Sequence, residues 1–270
     1  MPERVGWEGL PAGLREQVEE RTGRVVEATT VDEERSVDEG RSDGEGLGGS
    51  LATVVRTERQ GRLFLKGVRN DGDVAGDGAG DGERAAALAY EQAVNRAVAG
   101  VGPSVRHAVR GSGWLVLAFI HVDGRHADFR PGTHDLAAVD SVVKRMARLK
   151  APRGVRVPAF AERYADRLAP RDAELLAGET LLHTDVRPRN VLIGHAGGHA
   201  YVVDWARAAT GPAWVDPART AVALMAAGQP VDDALGWLAT FPAWRRADPS
   251  AVRAFVSAAD DDHHRCLLEK

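Results

Sequence analysis

The spacing of apolar residues changes twice along the chain. Residues 11–22 (PAGLREQVEERT) have an amphipathic helical pattern that stops at Gly23, and residues 24–31 read as a strand. Residues 51–57 and 62–68 alternate with period two around a turn at Gln60-Gly61, which predicts a hairpin. Alternation in the second of these puts Leu63 and Leu65 on the opposite face from Phe64 and Lys66. The alanine-rich stretch 83–99 predicts a long helix. Strands are expected at 105–109 and 114–121, the second almost continuously apolar (WLVLAFI) and therefore buried. The pattern then turns helical, at 136–149, 159–168 and 172–176. A strand pair at 191–193 and 201–203 is followed by helices at 217–227, 232–240 and 249–268. Asp216-Pro217 and Asp248-Pro249-Ser250 read as helix starts, with the acid as N-cap and proline in the first turn. No repeat of 20–50 residues is visible. A strand-rich half thus meets a helix-rich half near residue 121.

Two segments have no periodicity. Residues 32–49 are acidic and glycine-rich and read as a loop. Residues 70–82 (NDGDVAGDGAGDG) imitate a calcium loop. On that template from Asp71, however, Ala75 takes a ligand position and Gly82 stands where the bidentate glutamate belongs, so a flexible connection is the better reading.

Composition narrows the class. At 44% apolar, 270 residues can bury a substantial core. The formal charge of −4 argues against a general basic surface for nucleic acid. No apolar run approaches the ~18 residues of a membrane span, and MPERVGWEG is not a signal sequence, so a cytoplasmic location without membrane attachment is expected. The single cysteine, Cys266, rules out an internal disulfide framework and a cysteine-based zinc site. Arginine outnumbers lysine 31 to 4, so a lysine between apolar neighbours, such as Lys66, stands out.

The most informative segment is LLHTDVRPRNVLIGHAGGHAYVVDW, which begins at Leu181. It places His183, Asp185 and Asn190 in a proline-containing loop before a strand, and a Gly197-Gly198 hairpin returns the chain to Asp204. Adjacent strands would bring Asn190 and Asp204 together at one end of the hairpin. Their oxygens are hard ligands suited to Mg²⁺. Asp185 would face the same space as a proton acceptor.

This segment resembles the catalytic loop and metal-binding aspartate of the aminoglycoside phosphotransferase family and its relatives, the choline and fructosamine kinases. The resemblance implies a bilobal protein-kinase-like α+β fold, with an N-lobe at 1–120 and a helical C-lobe at 121–270. In that template the loop Asp accepts the substrate hydroxyl proton while an Asn and a later Asp hold Mg²⁺. The roles carry over to Asp185, Asn190 and Asp204, with ATP as co-substrate and a small-molecule hydroxyl as acceptor. His183 resembles the histidine that braces the loop. Lys66 matches the strand lysine, and of two possible partners, Glu83 and Glu91, the spacing from Glu91 to Pro103 is the more similar to the family's. Gly48, Gly49 and Ser50 match a phosphate-covering loop, and residues 114–120 the strand before the hinge, where adenine would meet backbone groups near Ala118 and Ile120. Arg187 either neutralises the transferring group or is a surface residue.

There are departures from the family pattern. Thr184 stands where the family usually has glycine, Ala118 replaces a frequent hinge acid, and Trp205-Ala206 follows Asp204. No arginine precedes Asp185 within the H-x-D, and no A-P-E segment is present, which favours a small-molecule kinase over a phosphorylation-switched protein kinase. His195 and His199 belong to a hairpin rather than to a zinc-binding helix. Asp260–Asp262 with His263 and His264 read as an exposed helix face, and Gly111-Ser112-Gly113 as a turn. Two rival functions stay open: a catalytically silent nucleotide-binding module on the same fold, and a metal-dependent phosphohydrolase using Asp185 and Asp204 as ligands. From His121 onward the chain has 20 basic and 19 acidic residues, which weakens the expectation of a polycationic aminoglycoside acceptor.

Overall fold

The computed structural model describes residues 5–31, 50–70, 79–259 and 262–268, with only the backbone of 79–81. The chain divides into two units, residues 1–93 with 103–121, and 94–102 with 122–270.

In the first unit, helix α1 (Ala12–Thr22) precedes strands β1 (Val25–Thr30), β2 (Ser50–Thr57) and β3 (Gly61–Arg69). Helix α2 (Ala79–Val94) is followed by β4 (Val105–Gly111) and β5 (Trp114–Ile120). The five strands form one antiparallel sheet in the order β1-β2-β3-β5-β4. Val18 and Leu14 of α1 join Leu51, Leu63, Leu65 and Val116 in a core on one face. Leu88 and Ala85 of α2 pack with Val68, Leu115, Leu117 and Phe119 on the other. Both faces of β5 are therefore covered, which is why its sequence lacks alternation. Lys66 lies on β3, an interior strand paired to β2 and β5, so it is not an edge lysine.

Helix α2 starts at Ala79, four residues before the expected start, and gives way to a 3-10 turn at Asn95–Val98. The glycines at 80 and 82 weaken helix propensity without preventing the helix. Residues 71–78 of the Asp/Gly-rich stretch, and all of 32–49, lie outside the described residues.

The second unit carries β6 (Gly124–His126), α3 (Leu136–Met146), α4 (Pro170–Leu175), β7 (Thr180–Leu182), β8 (Val191–Gly194), β9 (Ala200–Val202) and β10 (Ala209–Gly211). Helices α5 (Val215–Ala226), α6 (Val231–Leu238), α7 (Pro242–Arg245), α8 (Pro249–Ala259) and α9 (Asp262–Arg265) complete it. Strands β6, β8 and β9 form one small sheet, and β7 pairs with β10. Trp214 packs edge-on against Trp244 and Phe255, with ring centroids 5.9 and 5.4 Å away.

Three helix expectations change. Residues 159–168 form only a 3-10 turn at Phe160–Tyr164, because Ala159 is bridged to Thr210 and Pro170 opens a new helix. The stretch 249–268 is broken: the His264 ring lies 5.3 Å from that of Phe255, whereas nine residues of continuous helix would separate them by about 13 Å along the axis. Helix α5 begins two residues early, with Trp214 at the N-cap position, so Asp216 is inside the helix and is not its cap. Asp248 does cap α8, its Oδ1 accepting the Ser250 N–H at 2.7 Å. Among the described residues, no helix is long and apolar enough to cross a membrane.

Candidate active site

Strand β7 delivers the chain into the loop His183–Asn190, which has no ladder to satisfy its first amides. Asp216 does this instead. Its Oδ2 accepts the His183 N–H at 2.7 Å and its Oδ1 the Thr184 N–H at 2.9 Å. Asp216 is 2% exposed, and burial pushes its carboxyl above the ordinary value. His183, the two amide bonds and Arg219 pull the other way without cancelling that rise.

The brace allows an unusual backbone. Thr184 has φ 71°, the left-handed region that a β-branched residue rarely enters, at a cost of ~1–3 kcal/mol. Its Oγ1 donates to the Arg207 carbonyl at 3.1 Å, which ties the loop to the turn after Asp204.

His183 is buried and uses both ring nitrogens. Nε2 donates to the Val203 carbonyl at 2.8 Å and Nδ1 accepts the Asp185 N–H at 3.2 Å. Its ring meets Trp205 edge-on at 4.8 Å. With both nitrogens engaged, this histidine holds the loop and has no free site for proton transfer.

Asp185 follows, half-buried, at the centre of a polar cluster. Its Oδ1 lies 2.5 Å from Arg187 Nε, and its Oδ2 lies 3.2 Å from Arg189 Nη2. Asn190 Nδ2 donates to Oδ2 at 2.9 Å and to the Asp185 carbonyl at 2.8 Å. Burial alone would raise the carboxyl. Arg187 first, then Arg189, His183 and Arg219, more than offset this and hold it below its ordinary value.

Asn190 is held through its amide nitrogen. Both groups facing its amide, a carbonyl and a carboxylate, are acceptors, so the NH₂ must point at them and Oδ1 must point away. Val203 N–H donates to the Asn190 carbonyl at 2.9 Å, and Val191 pairs with Val202, so Asp204 is one residue past Asn190's neighbour, Val203, just after β9. Asp204 is exposed and has φ 66°, a conformation that aspartate tolerates better than most residues. One amide oxygen and one carboxylate fit Mg²⁺, which takes few protein ligands beside substrate phosphates.

In the first unit, Lys66 Nζ lies 2.8 Å from Glu91 Oε2, and Glu91 is 3% exposed. Glu91 is the carboxylate of the two considered that Lys66 meets at this distance. Gly48 and Gly49 lie outside the described residues. Ser50 is the first residue of β2, opposite Val68. Ala118 is buried within the ladder between β3 and β4, and the Ile120 N–H is already donated to the Ser104 carbonyl at 2.9 Å. Among the described residues, no group of three His, Cys, Asp or Glu could hold a metal, and His195 and His199 lie at the β8–β9 hairpin turn. Asp260 and Asp261 are outside the described residues. Ser112, with φ 50°, turns the chain between β4 and β5.

The sequence reading did not anticipate the roles of Asp216, Arg189 and Arg219. For Asp216 the local signal, Asp before Pro, pointed to a cap. The only trace of Arg189 was the alternation of arginines between Asp185 and Asn190.

The chain has a protein-kinase-like α+β fold. It aligns with a solved aminoglycoside-3'-phosphotransferase of type VIII at a TM-score of 0.50 and 16% identity, over 95% of this chain and 98% of the other. It also aligns with aminoglycoside phosphotransferase APH(3'')-Id from Streptomyces rimosus, solved with ADP and streptomycin, at a TM-score of 0.53 and 17% identity, over 84% and 95% of the two chains. At such identities the likeness is one of fold. Residues 127–250, which contain the loop, Asp204 and Asp216, match the profile of the phosphotransferase enzyme family (APH), so the resemblance seen in the sequence holds and supports a phosphotransferase. No curated protein matches the chain.

Proposed function

We propose that the protein is a small-molecule kinase that transfers the γ-phosphoryl group of ATP to an acceptor hydroxyl. The observation that carries this reading is the Asp185–Asn190 unit: the amide nitrogen of Asn190 holds both the carboxylate and the carbonyl of Asp185, so its amide oxygen faces away from them. Mg²⁺ on Asn190 and Asp204 would neutralise charge on the nucleotide phosphates. Lys66, aimed by Glu91, positions the same phosphates, and Ser50 with Gly48 and Gly49 covers them. Adenine would lie at the end of β5 beyond Ala118 and Ile120, whose own backbone groups are engaged in the sheet and with Ser104. The APH(3'')-Id complex with ADP supports nucleotide use.

Asp185 orients the acceptor hydroxyl and takes its proton. Because its carboxyl sits below the ordinary value, it is a weak base, and it accepts the proton late, as the new P–O bond makes the hydroxyl acidic. Arg187, on the Asp185 carboxylate, supplies positive charge to the transferring group. The 1–120 region acts as the nucleotide-positioning lobe and 121–270 as the catalytic and acceptor lobe. Both Asp185 oxygens are already met by N–H donors, which disfavours the phosphohydrolase reading, in which Asp185 is a metal ligand.

Asp185→Asn tests the assignment. Mg·ATP affinity should stay nearly unchanged while ADP release with a working acceptor falls roughly 10²–10⁴-fold. Joint loss of metal affinity and turnover would point to the hydrolase. Full activity would overturn the assignment, and absence of any ADP release from the wild type across an acceptor panel would leave the silent nucleotide-binding module.

A further inference from the structure

The proposed base is surrounded by more positive charge than it needs. Arg187 and Arg189 both contact the Asp185 carboxylate, at 2.5 and 3.2 Å, one on each oxygen. Arg219, on α5, also acts on Asp185, and its Nη1 donates to the Tyr164 hydroxyl at 3.1 Å. Two guanidiniums thus hold one carboxylate, with a third positive charge farther off on α5.

The three differ in what else they can do. Arg187 is half-buried and is assigned to the transferring group. Arg219 is half-buried and bonded to Tyr164. Arg189 has 58% of its side chain exposed, yet its guanidinium reaches Oδ2, the oxygen also held by Asn190. A hydroxyl that approaches Asp185 must come within a few ångströms of that guanidinium.

We infer that Arg189 selects the acceptor by charge, favouring a hydroxylated molecule that carries an anionic group near the reacting hydroxyl and disfavouring a polyamine. This rests on the kinase reading of Asp185 and deepens it. An acceptor ammonium beside Asp185 would meet like charge on Arg189, which already shares the Asp185 carboxylate with Arg187. An acceptor carboxylate or phosphate would instead take the planar fork that Arg189 presents. The surrounding composition agrees: acidic residues do not outnumber basic ones from His121 onward.

The test uses two sugars with matched ring hydroxyls and opposite charge, glucuronate and glucosamine, titrated into the full chain saturated with Mg·ADP. Binding is read by ligand-observed NMR at constant ionic strength. Glucuronate should bind about fivefold more tightly than glucosamine, the order expected for one partly exposed charge pair. Arg189→Glu should reverse the order, and Arg189→Lys should restore it. A purely structural role for Arg189 would weaken both sugars alike and would not reverse their order. Equal or tighter binding of glucosamine by the wild type, an unchanged order in Arg189→Glu, or no binding of either sugar overturns the inference and leaves the kinase reading standing. Failure of Mg·ADP itself to bind defeats the kinase reading and takes this inference with it.

Discussion

Lys66 sits on a strand and Asp185 on a loop, and the fold holds them by different means. The backbone of Lys66 is fixed by pairing on both sides, with Ala52 and with Leu117, so only its side chain requires a partner, and Glu91 supplies one at 2.8 Å. The backbone around Asp185 has no ladder. It is held by a buried carboxylate, a histidine used at both nitrogens and a threonine hydroxyl, and all but the His183–Asp185 bond join groups distant in sequence. A sheet residue can be aimed by one ion pair, whereas a loop residue needs its main chain held as well. Substitutions away from the reacting atoms should therefore be far more damaging in the loop than on the sheet.

The largest effect should come from Asp216→Ala. It strands two buried amides at ~1–3 kcal/mol each, so the expected loss is about 2–6 kcal/mol of stability, with a matching fall in thermal midpoint and in turnover. A loss limited to ~0.5–2 kcal/mol, with turnover intact, is what a mere helix cap would give, and it would break the comparison. Chemical denaturation run beside ADP release decides between them.

Glu91→Gln should be milder. Lys66 keeps 30% of its side chain exposed and can turn to water, so stability should change by no more than about 1 kcal/mol. The KM for Mg·ATP should rise about tenfold, equivalent to about 1.4 kcal/mol, with kcat much less affected. If stability collapsed as far as in Asp216→Ala, the claim that the sheet residue needs little support would fail.

The smallest effect is on pH dependence. Asp185 is depressed, so its ionised form contributes stability above the unfolded value of 3.8, and that contribution is lost only as pH falls through the lower folded value. Between pH 5 and 8 Asp185 should thus give no acid limb in kcat/KM. Arg187→Met removes the leading offset to burial, and the carboxyl should rise. A ¹³C titration of Asp185 that is identical in the two proteins would show that Arg187 does not set the base.

Much of this was legible locally. Period-two alternation located β2 and β3 and put Lys66 opposite Leu63 and Leu65. The unbroken apolar run of β5 announced burial on both faces. Strands β6, β7 and β10, three residues each, were too short to show any period, and they exist only through pairing with distant partners. The composition around Phe160–Tyr164 is helical, while the bridge to Thr210 that limits it to a tight turn is remote. The same holds for Asp216. A cap and a brace are the same residue type beside the same proline, and only the amides of His183 and Thr184, more than thirty positions earlier, distinguish them.

That distance along the chain has a consequence for how the protein is made. A nascent chain emerging from the ribosome contains Asp185, and even Asp204, before it contains helix α5. Until Asp216 has been synthesised and α5 has docked, the His183 and Thr184 amides lack their acceptors, and nothing compensates for the left-handed backbone at Thr184. Translation therefore supplies the residues of the loop before it supplies their brace, and a chain released before residue 216 carries the residues of the site without the shape that makes them work together.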